Sequence, residues 1–191
     1  MNDLRTIAVI GAGRLGRRLA WLSARAGYRT ILEDVFPSNL RRAEELLEES
    51  LAAGRDGGGL IRRVEFAGNV EDAVREADLI VDCVPDELES KLEIFSLLDR
   101  MAPPRSILAT PTRALSIADL ASCTYRADRC VALELPPELL DNEESPLAGR
   151  ITIVHTNGTL PEVVDAVAGF SRRIGMEVGV RADALEAAPD S

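Results

Sequence analysis

Short apolar runs alternate with amphipathic stretches along this chain. The run from Thr6 to Ile10 is apolar after its first residue, and apolar residues then recur every three or four positions from Arg14 to Ala26. A short continuous apolar run is typical of a strand covered on both faces, whereas the second spacing is typical of a helix packed against a sheet. The pattern predicts a strand, a turn and a helix in succession.

The same alternation continues along the rest of the chain. We predict further strands at 28–33, 64–67, 79–84, 106–109, 130–133, 151–155 and 176–180, with helices at 37–53 and 161–174 and in the remaining gaps. Adjacent parallel strands need long crossovers, which the helices supply. The pattern favours an α/β fold with a doubly wound, mostly parallel sheet. We expect a single domain at 1–183 and a flexible C-terminal tail at 184–191.

The composition is that of an ordinary globular protein. Of the 191 residues, 46% are hydrophobic and 28% are charged, and no apolar run reaches the roughly 18 residues of a membrane span. The chain opens without a basic leader segment, so we expect a cytoplasmic protein with no membrane partner. The net charge of −10 argues against a nucleic-acid partner, because phosphate binding requires clustered cations. Three scattered cysteines fit reduced packing residues, and no metal site is predicted.

The turn after the first strand has the pattern G-x-G-x-x-G, formed by Gly11, Ala12, Gly13, Arg14, Leu15 and Gly16. Gly11 permits a tight turn, Gly13 allows the backbone to approach a diphosphate, and Gly16 allows close helix–strand packing. The diphosphate would lie on the free amide groups at the start of the helix. Because the pattern follows an apolar strand and opens an amphipathic helix, it predicts a Rossmann dinucleotide-binding unit.

Asp34 at the end of the second strand is the acidic partner that this fingerprint requires. A carboxylate there accepts hydrogen bonds from the adenosine ribose and repels a 2′-phosphate, so NAD is the predicted cofactor. Arg41 and Arg42 keep NADP open as an alternative. FAD uses the same fingerprint, but such flavoproteins usually have longer chains.

The sequence resembles the NAD-binding domain of the 3-hydroxyacyl-CoA dehydrogenase family from Ile7 to about Val180. The first matching segment, Ile7 to Gly16, contains the glycine turn. Residues 77–91, ADLIVDCVPDELESK, are similar to the family block ADLVIEAVPEDLELK. The segments around Ala102-Pro-Pro104 and at Leu115–Leu120 also match. The resemblance implies an oxidoreductase acting on a hydroxyacyl or hydroxy-acid CH–OH group, with a role in fatty acid metabolism.

The resemblance also implies which residues meet the nicotinamide half of the cofactor. In the family these residues follow the fourth and fifth strands, and the matching positions are Cys83, Val84, Asp86, Lys91 and Thr110. A solvated helix charge is the alternative interpretation of Lys91. The acidic pair Asp86 and Glu87 also suits a helix N-terminus, whose dipole favours negative charge.

The family's catalytic positions carry different residues in this chain. The catalytic His is replaced by Glu134, its orienting Glu by Thr152 and a substrate-binding Ser by Arg113, while Pro137 stands where the family has Asn. Glu134 would then act as the base, with Arg113 fixing a substrate carboxylate or carbonyl. The alternative for Glu134 is a strand-end acid that lies in water or pairs with Arg113. The only histidine, His155, is expected at a strand end, where a structural role is favoured.

Two hypotheses follow for the function. The first is an NAD-dependent oxidoreductase with a small-molecule substrate, for which an acyl thioester is one candidate. The short segment at 54–59 argues against recognition of CoA. The second is a catalytically silent NAD-binding sensor or subunit. The sequence ends where the family's helical domain would begin, so we expect a homodimer or a partner chain to cover the cleft.

Overall fold

An eight-stranded sheet forms the centre of the computed structural model, which describes residues 4–52, 63–137, 139 and 149–184. In these residues the strands are β1 (Thr6–Ile10), β2 (Arg29–Glu33), β3 (Val64–Ala67), β4 (Leu79–Asp82), β5 (Ile107–Pro111), β6 (Cys130–Glu134), β7 (Arg150–His155) and β8 (Glu177–Ala182). The helices are α1 (Arg14–Arg25), α2 (Pro37–Ala52), α3 (Val70–Val74), α4 (Leu88–Met101), α5 (Ile117–Ala121) and α6 (Pro161–Arg173), with a 3-10 turn at Ala127–Arg129.

The order of the strands across the sheet is β3-β2-β1-β4-β5-β6-β7-β8. All neighbouring strands from β3 to β6 run parallel, β6 and β7 run antiparallel, and β7 and β8 are parallel again. The prediction of a doubly wound, mostly parallel sheet is confirmed. The chain leaves β1 toward β3 and then returns to β4 on the other side of β1. The order of the strands therefore reverses between β1 and β4. Open α/β sheets bind ligands in the crevice at the carboxyl ends of the strands at such a point.

Helices cover both faces of the sheet. On one face, α1 and α6 bury apolar side chains against β1, β4 and β7, among them Leu19, Leu22, Val163 and Phe170. On the other face, α3, α4 and α5 do the same with Val74, Phe95, Leu98 and Leu120. Because both faces are covered, the central strands are apolar on both sides, which accounts for the continuous apolar runs in the sequence.

Strands β4 and β8 end at residues other than those predicted. The fourth strand stops at Asp82, two residues earlier than predicted, because Oδ1 of Asp82 accepts a hydrogen bond from the N–H of Val84 at 2.9 Å. The last strand continues two residues past Val180, because its pairing with β7 extends to His155 and Ala182.

Three segments of the sequence are described by the structure only in part or not at all. The predicted glycine-rich segment at 54–59, most of the acidic loop at 136–149 and residues 185–191 of the predicted tail fall outside the described residues. In the part of the chain that is described, no helix combines the length and apolar character needed to cross a membrane.

Candidate functional site

The glycine turn after β1 has the geometry that its sequence predicts. Gly11 has a φ of +96°, a left-handed conformation that residues with side chains rarely adopt. Its N–H donates to the carbonyl of Glu33 at 2.8 Å, which ties the turn to the end of β2. A Cβ atom on Gly16 would lie 1.8 Å from the carbonyl oxygen of Gly11. Only glycine therefore permits α1 to start this close to the strand.

Gly13 leaves the start of α1 open to an anion. It precedes the helix in an extended conformation, and a Cβ atom added there would meet nothing within 4 Å. The first amide groups of a helix point out of its N-terminus and carry the positive end of its dipole. Nη1 of Arg17 donates to the carbonyl of Ala12 at 2.9 Å and holds the turn in place.

Asp34 connects the glycine turn to the segment after β2. Its Oδ2 accepts hydrogen bonds from the N–H of Ala12 and from Nδ2 of Asn39, each at 2.9 Å, and its Oδ1 accepts from the N–H of Phe36 at 2.8 Å. These bonds use three of the roughly four acceptor positions of a carboxylate, which leaves capacity for a ribose hydroxyl.

Glu33 is a buried acid that the sequence analysis missed. Its side chain is 2% exposed, and its Oε1 has no hydrogen-bond partner among the described residues. Burial, reinforced by the negative charge of Asp34, raises the pKa of Glu33 to about 7. The available signal was an acidic residue at the last position of a strand, directly after the apolar residues Ile31 and Leu32.

The segment after β4 lies beside the glycine turn. The N–H of Cys83 donates to the carbonyl of Ile10 at 2.8 Å, and a Cβ atom on Gly11 would lie 3.2 Å from the Cys83 carbonyl oxygen. Val84 follows, and both side chains are half-buried. Burial raises the pKa of the Cys83 thiol, so the side chain stays neutral.

The acidic pair after this segment lies where the helix-dipole interpretation places it. The helix α4 begins at Leu88, directly after Glu87, and Asp86 lies exposed in the preceding turn. This confirms the expectation of a helix N-terminus and leaves Asp86 accessible at the same edge of the sheet.

Lys91 lies in a buried ion pair. Its Nζ lies 3.1 Å from Oδ2 of Asp82, 2.9 Å from Oγ1 of Thr110 and 3.3 Å from the carbonyl of Val84. Thr110 donates to the same oxygen of Asp82 at 3.0 Å, and Lys91, Thr110 and Asp82 are all 0% exposed. The interpretation of Lys91 as a solvated helix charge is therefore wrong.

The partner of Lys91 was not predicted. Burial raises the pKa of Asp82, whereas the positive charge of Lys91 and the hydrogen bond from Thr110 act in the opposite direction. The three side chains join β4, α4 and β5 directly behind the segment that holds Cys83 and Val84. An acid at the end of an apolar strand was again the available signal.

A cavity of about 250 Å³ lies beside the end of β6. Its polar lining consists of Thr112, Arg113, Glu134, Arg181 and Asp183. The structure thus brings together the two predicted catalytic residues, and it adds Arg181 and Asp183, which the sequence analysis did not single out. Arg181 depends on the register of β7 and β8, for which the sequence carries no local signal.

Glu134 and Arg113 share this cavity but do not pair with each other. Oε1 of Glu134 accepts a hydrogen bond from Nη2 of Arg181 at 2.5 Å. Nη2 of Arg113 instead donates to the carbonyl of Leu135 at 2.6 Å. The expected alternative, a pair between Glu134 and Arg113, is therefore wrong, because each side chain is engaged elsewhere.

Other predicted residues lie outside the cavity lining or at its edge. Thr152 stands directly opposite Glu134 in the antiparallel pairing of β6 and β7. His155 ends β7, and its Nδ1 contacts the carbonyl of Thr156 at 2.9 Å. Cys130 is fully buried, and burial raises the pKa of its thiol to about 12, as expected of a packing cysteine.

The carboxyl edge of β1, β2 and β4 fits a dinucleotide. The space over Gly13 is open, the acceptor Asp34 lies on one side of it, and Cys83 and Val84 lie on the other. A diphosphate over α1 would put a ribose toward Asp34 and the opposite half of the molecule toward β4 and β5.

A family model described as the NAD-binding domain of 3-hydroxyacyl-CoA dehydrogenase matches residues 6–184. The chain belongs to this family. The resemblance seen in the sequence is thereby confirmed, and the cofactor of the domain is NAD. The curated relatives that match it include dehydrogenases of 3-hydroxybutyryl-CoA, of hydroxyacyl-coenzyme A and of L-carnitine.

Three relatives illustrate the similarity. A probable 3-hydroxybutyryl-CoA dehydrogenase of Bacillus subtilis (strain 168) is 30% identical over 69% of this chain and 48% of its own length. A 5-formyl-3-hydroxy-2-methylpyridine 4-carboxylate 5-dehydrogenase of Mesorhizobium japonicum is 26% identical over 91% and 56%, and the human mitochondrial hydroxyacyl-coenzyme A dehydrogenase is 24% identical over 90% and 57%. The chain spans about half the length of the curated relatives it matches.

Solved structures agree on the fold. A diketoreductase has a TM-score of 0.82 and 26% identity, with 95% of this chain and 65% of that chain covered. The 3-hydroxybutyryl-CoA dehydrogenase of Escherichia coli K12 has a TM-score of 0.83 at 23% identity, with 95% and 39% covered. The second similarity shows the fold alone, and both confirm a Rossmann-type domain.

Proposed function

We propose that this chain is the cofactor-binding and proton-transferring part of an NAD-dependent oxidoreductase that acts on the CH–OH group of a hydroxyacyl compound or hydroxy acid. One observation carries the proposal: Glu134, at the position that the resemblance assigns to the family's catalytic histidine, lines a cavity with Thr112 and Arg113. That cavity lies next to β5, whose Thr110 belongs to the cluster behind the cofactor edge.

The cofactor contacts follow from the geometry of the carboxyl edge. The turn formed by Gly11, Ala12, Gly13, Arg14, Leu15 and Gly16 would hold the diphosphate, and the N–H groups of Gly11 and Ala12 fix the shape of this turn through Glu33 and Asp34. Asp34 would hold the adenosine ribose, and Cys83, Val84, Asp86, Lys91 and Thr110 would form the wall toward the nicotinamide half. Lys91 and Thr110 act there from a buried position, by fixing Asp82 and the backbone of Val84. When bound, NAD supplies the hydride acceptor.

Two side chains of the cavity would act on the substrate. Glu134 takes the hydroxyl proton as the carbinol carbon loses its hydride, and Arg113 fixes a carboxylate or carbonyl oxygen of the substrate. The cavity of about 250 Å³ is at the small end for ligand pockets, which suits a compact hydroxy acid or the acyl end of a thioester.

A catalytically silent NAD-binding protein is the second candidate. The observation in its favour is that the family's His, Glu and Ser positions carry Glu134, Thr152 and Arg113. Under either candidate we propose a cytoplasmic protein that forms a homodimer or binds a partner chain, without contact to nucleic acid or membrane.

Calorimetry with NAD and NADP tests the cofactor half. We expect NAD to bind at least about tenfold more tightly than NADP, and Asp34→Ala to weaken NAD binding by about tenfold or more, because a charged hydrogen bond to the ribose is lost. Asp72→Ala, an exposed acid on α3, is the matched control and should bind NAD as the wild type does. Absence of binding heat at millimolar NAD would refute both candidates.

A turnover screen separates the two candidates. Hydroxyacyl thioesters and free hydroxy acids are incubated with NAD, and NADH absorbance is followed. We expect activity with at least one compound, and a loss of about a hundredfold or more in Glu134→Gln at unchanged NAD affinity. NAD binding without turnover of any compound would leave the silent protein as the correct assignment.

A further inference from the structure

The position opposite Glu134 holds an uncharged residue, yet Glu134 is still fixed by a charged side chain. Thr152 faces Glu134 directly across β6 and β7, but the hydrogen bond to Oε1 comes from Nη2 of Arg181 on β8, at 2.5 Å. Arg181 pairs in register with Val154, two pairs further along the sheet. Its side chain therefore reaches diagonally across β7.

Arg181 has a defined place on this face of the sheet. Its Nη1 donates to the carbonyl of Ala182 at 2.9 Å, so both ends of the guanidinium group are engaged. Gly179 stands two residues earlier on the same face, where a Cβ atom would lie 3.3 Å from Oγ1 of Thr152. The absence of a side chain there leaves the path toward Glu134 open.

A second carboxylate, that of Asp183, acts on Arg181 through its charge. Oδ2 of Asp183 accepts hydrogen bonds from Oγ of Ser116 at 2.8 Å and from the N–H of Ala118 at 3.2 Å, which anchors it at the start of α5. The hydrogen bond to Glu134, together with the charges of Glu134 and Asp183, raises the pKa of Arg181. Arg181 is thus a permanent cation that is hydrogen-bonded to the proposed base and stabilised by the charge of an anchored acid.

We propose that Arg181 is the positioning residue of Glu134, and that this chain uses an acid held by a cation where its relatives are expected to use a histidine held by an acid. The proposal rests on the proposed function, because Glu134 must be the base. Arg181 occupies Oε1, which directs the other carboxylate oxygen, Oε2, to the substrate. The base in this chain is thus a carboxylate oriented by a cation instead of an imidazole oriented by a carboxylate, and in both cases the base takes the proton of the substrate hydroxyl.

The proton and electron balance is simple. The O–H bond of the substrate breaks and its proton goes to Oε2 of Glu134. The carbinol C–H bond breaks, and its hydrogen leaves with both bonding electrons as the hydride that NAD would accept. The electron pair of the broken O–H bond forms the C=O bond. Arg181 keeps its proton throughout, because a guanidinium is not deprotonated in proteins. Its contribution is the geometry of the carboxylate alone.

Three variants test the proposal with the full chain. Arg181→Met removes the cation at similar length, and Arg181→Lys restores a cation with one donor group. Arg150→Met is the matched control, since Arg150 on β7 also pairs with a glutamate of the same sheet, at 3.3 Å from Glu177 on β8, but is not part of the cavity lining. Kinetics use the panel compound with the highest wild-type rate.

We expect Arg181→Met to lower kcat by about ten- to a hundredfold, with KM and the calorimetric Kd for NAD within twofold of wild type. Arg181→Lys should regain a substantial part of kcat, and Arg150→Met should match wild type. Crystal structures supply a readout that is independent of turnover: the Glu134 carboxylate should be displaced in Arg181→Met and unmoved in Arg150→Met.

Four results would overturn the proposal. Two are a kcat for Arg181→Met equal to that of Arg150→Met, and an unmoved Glu134 carboxylate in the Arg181→Met structure. A third is a loss confined to KM, which would make Arg181 a substrate-binding residue instead. The fourth, a wild type that turns over no panel compound, is distinguishable because it refutes the proposed oxidoreductase itself.

Discussion

Two adjacent acids at the end of β2 have different surroundings. Asp34 accepts three hydrogen bonds, from Ala12, Phe36 and Asn39, whereas Oε1 of Glu33 has none among the described residues. Burial of an acid without compensating donors disfavours its charged form. Glu33 therefore titrates near neutral pH directly behind the proposed ribose site.

Glu33 makes the folding stability depend on pH in a defined direction. Its pKa is raised in the folded protein from the ordinary value of 4.5 to about 7, so the folded state binds the proton more tightly than the unfolded chain does. The stabilising effect is complete below pH 4.5 and is lost as the pH rises through 7. We expect Glu33→Gln to remove this loss, which amounts to at most about 3 kcal/mol, in urea unfolding at pH 5 to 8.

Glu65 on the neighbouring strand β3 serves as a comparison, because its contribution to folding stability depends on pH in the opposite direction. The hydrogen bond from Arg29 lowers the pKa of Glu65, so its contribution is present at neutral pH and fades as the pH falls. The side chain is about half exposed, and its effect should be small. A stability curve for Glu33→Gln that runs parallel to wild type from pH 5 to 8 would contradict the assignment.

At the scale of elements, the first strand, turn and helix were predictable because their local sequence signals agree with one another. Three glycines, the apolar run of β1 and the amphipathic pattern of α1 all indicate the same local structure. The pairing of β6, β7 and β8 was less accessible. Which residue stands opposite Glu134, and that Arg181 reaches it, depends on strand register and on long-range contacts rather than on local pattern.

Two substitutions in the glycine turn should have different effects, one on folding stability and the other on cofactor binding. A Cβ on Gly16 would collide with the backbone at 1.8 Å, so Gly16→Ala should destabilise the fold by about 3 kcal/mol or more. A Cβ on Gly13 meets nothing within 4 Å and its φ is −64°, so Gly13→Ala should stay within about 1 kcal/mol of wild type. The new methyl group would enter the space of the diphosphate, and NAD affinity should fall more than tenfold.

Urea unfolding and calorimetry with NAD measure the two effects separately. Gly169→Ala, at an exposed and open position of α6, is the control and should gain about 0.5 to 1 kcal/mol without a change in NAD affinity. If Gly13→Ala binds NAD as tightly as Gly169→Ala does, the diphosphate does not lie over Gly13.

At the scale of the whole molecule, the sheet ends in two edges of different character. β3 is a four-residue strand with a charged residue, and short charged edges resist further pairing. β8 also carries charged residues, Glu177 and Arg181, but it is longer, with six residues, and has the half-exposed Val180 between them. Such an edge is the place where another chain is most readily added.

We therefore expect light scattering at micromolar concentration to give about twice the 20.6 kDa of one chain. Val180→Lys puts a charge on the edge strand and should shift the mass toward that of a single chain, because a lysine opposes edge-to-edge pairing. Tyr125→Ser removes a fully exposed aromatic residue next to the 3-10 turn, away from β8, and should leave the mass unchanged. A single-chain mass for wild type would contradict the homodimer, and a dimer that persists in Val180→Lys would place the interface away from β8.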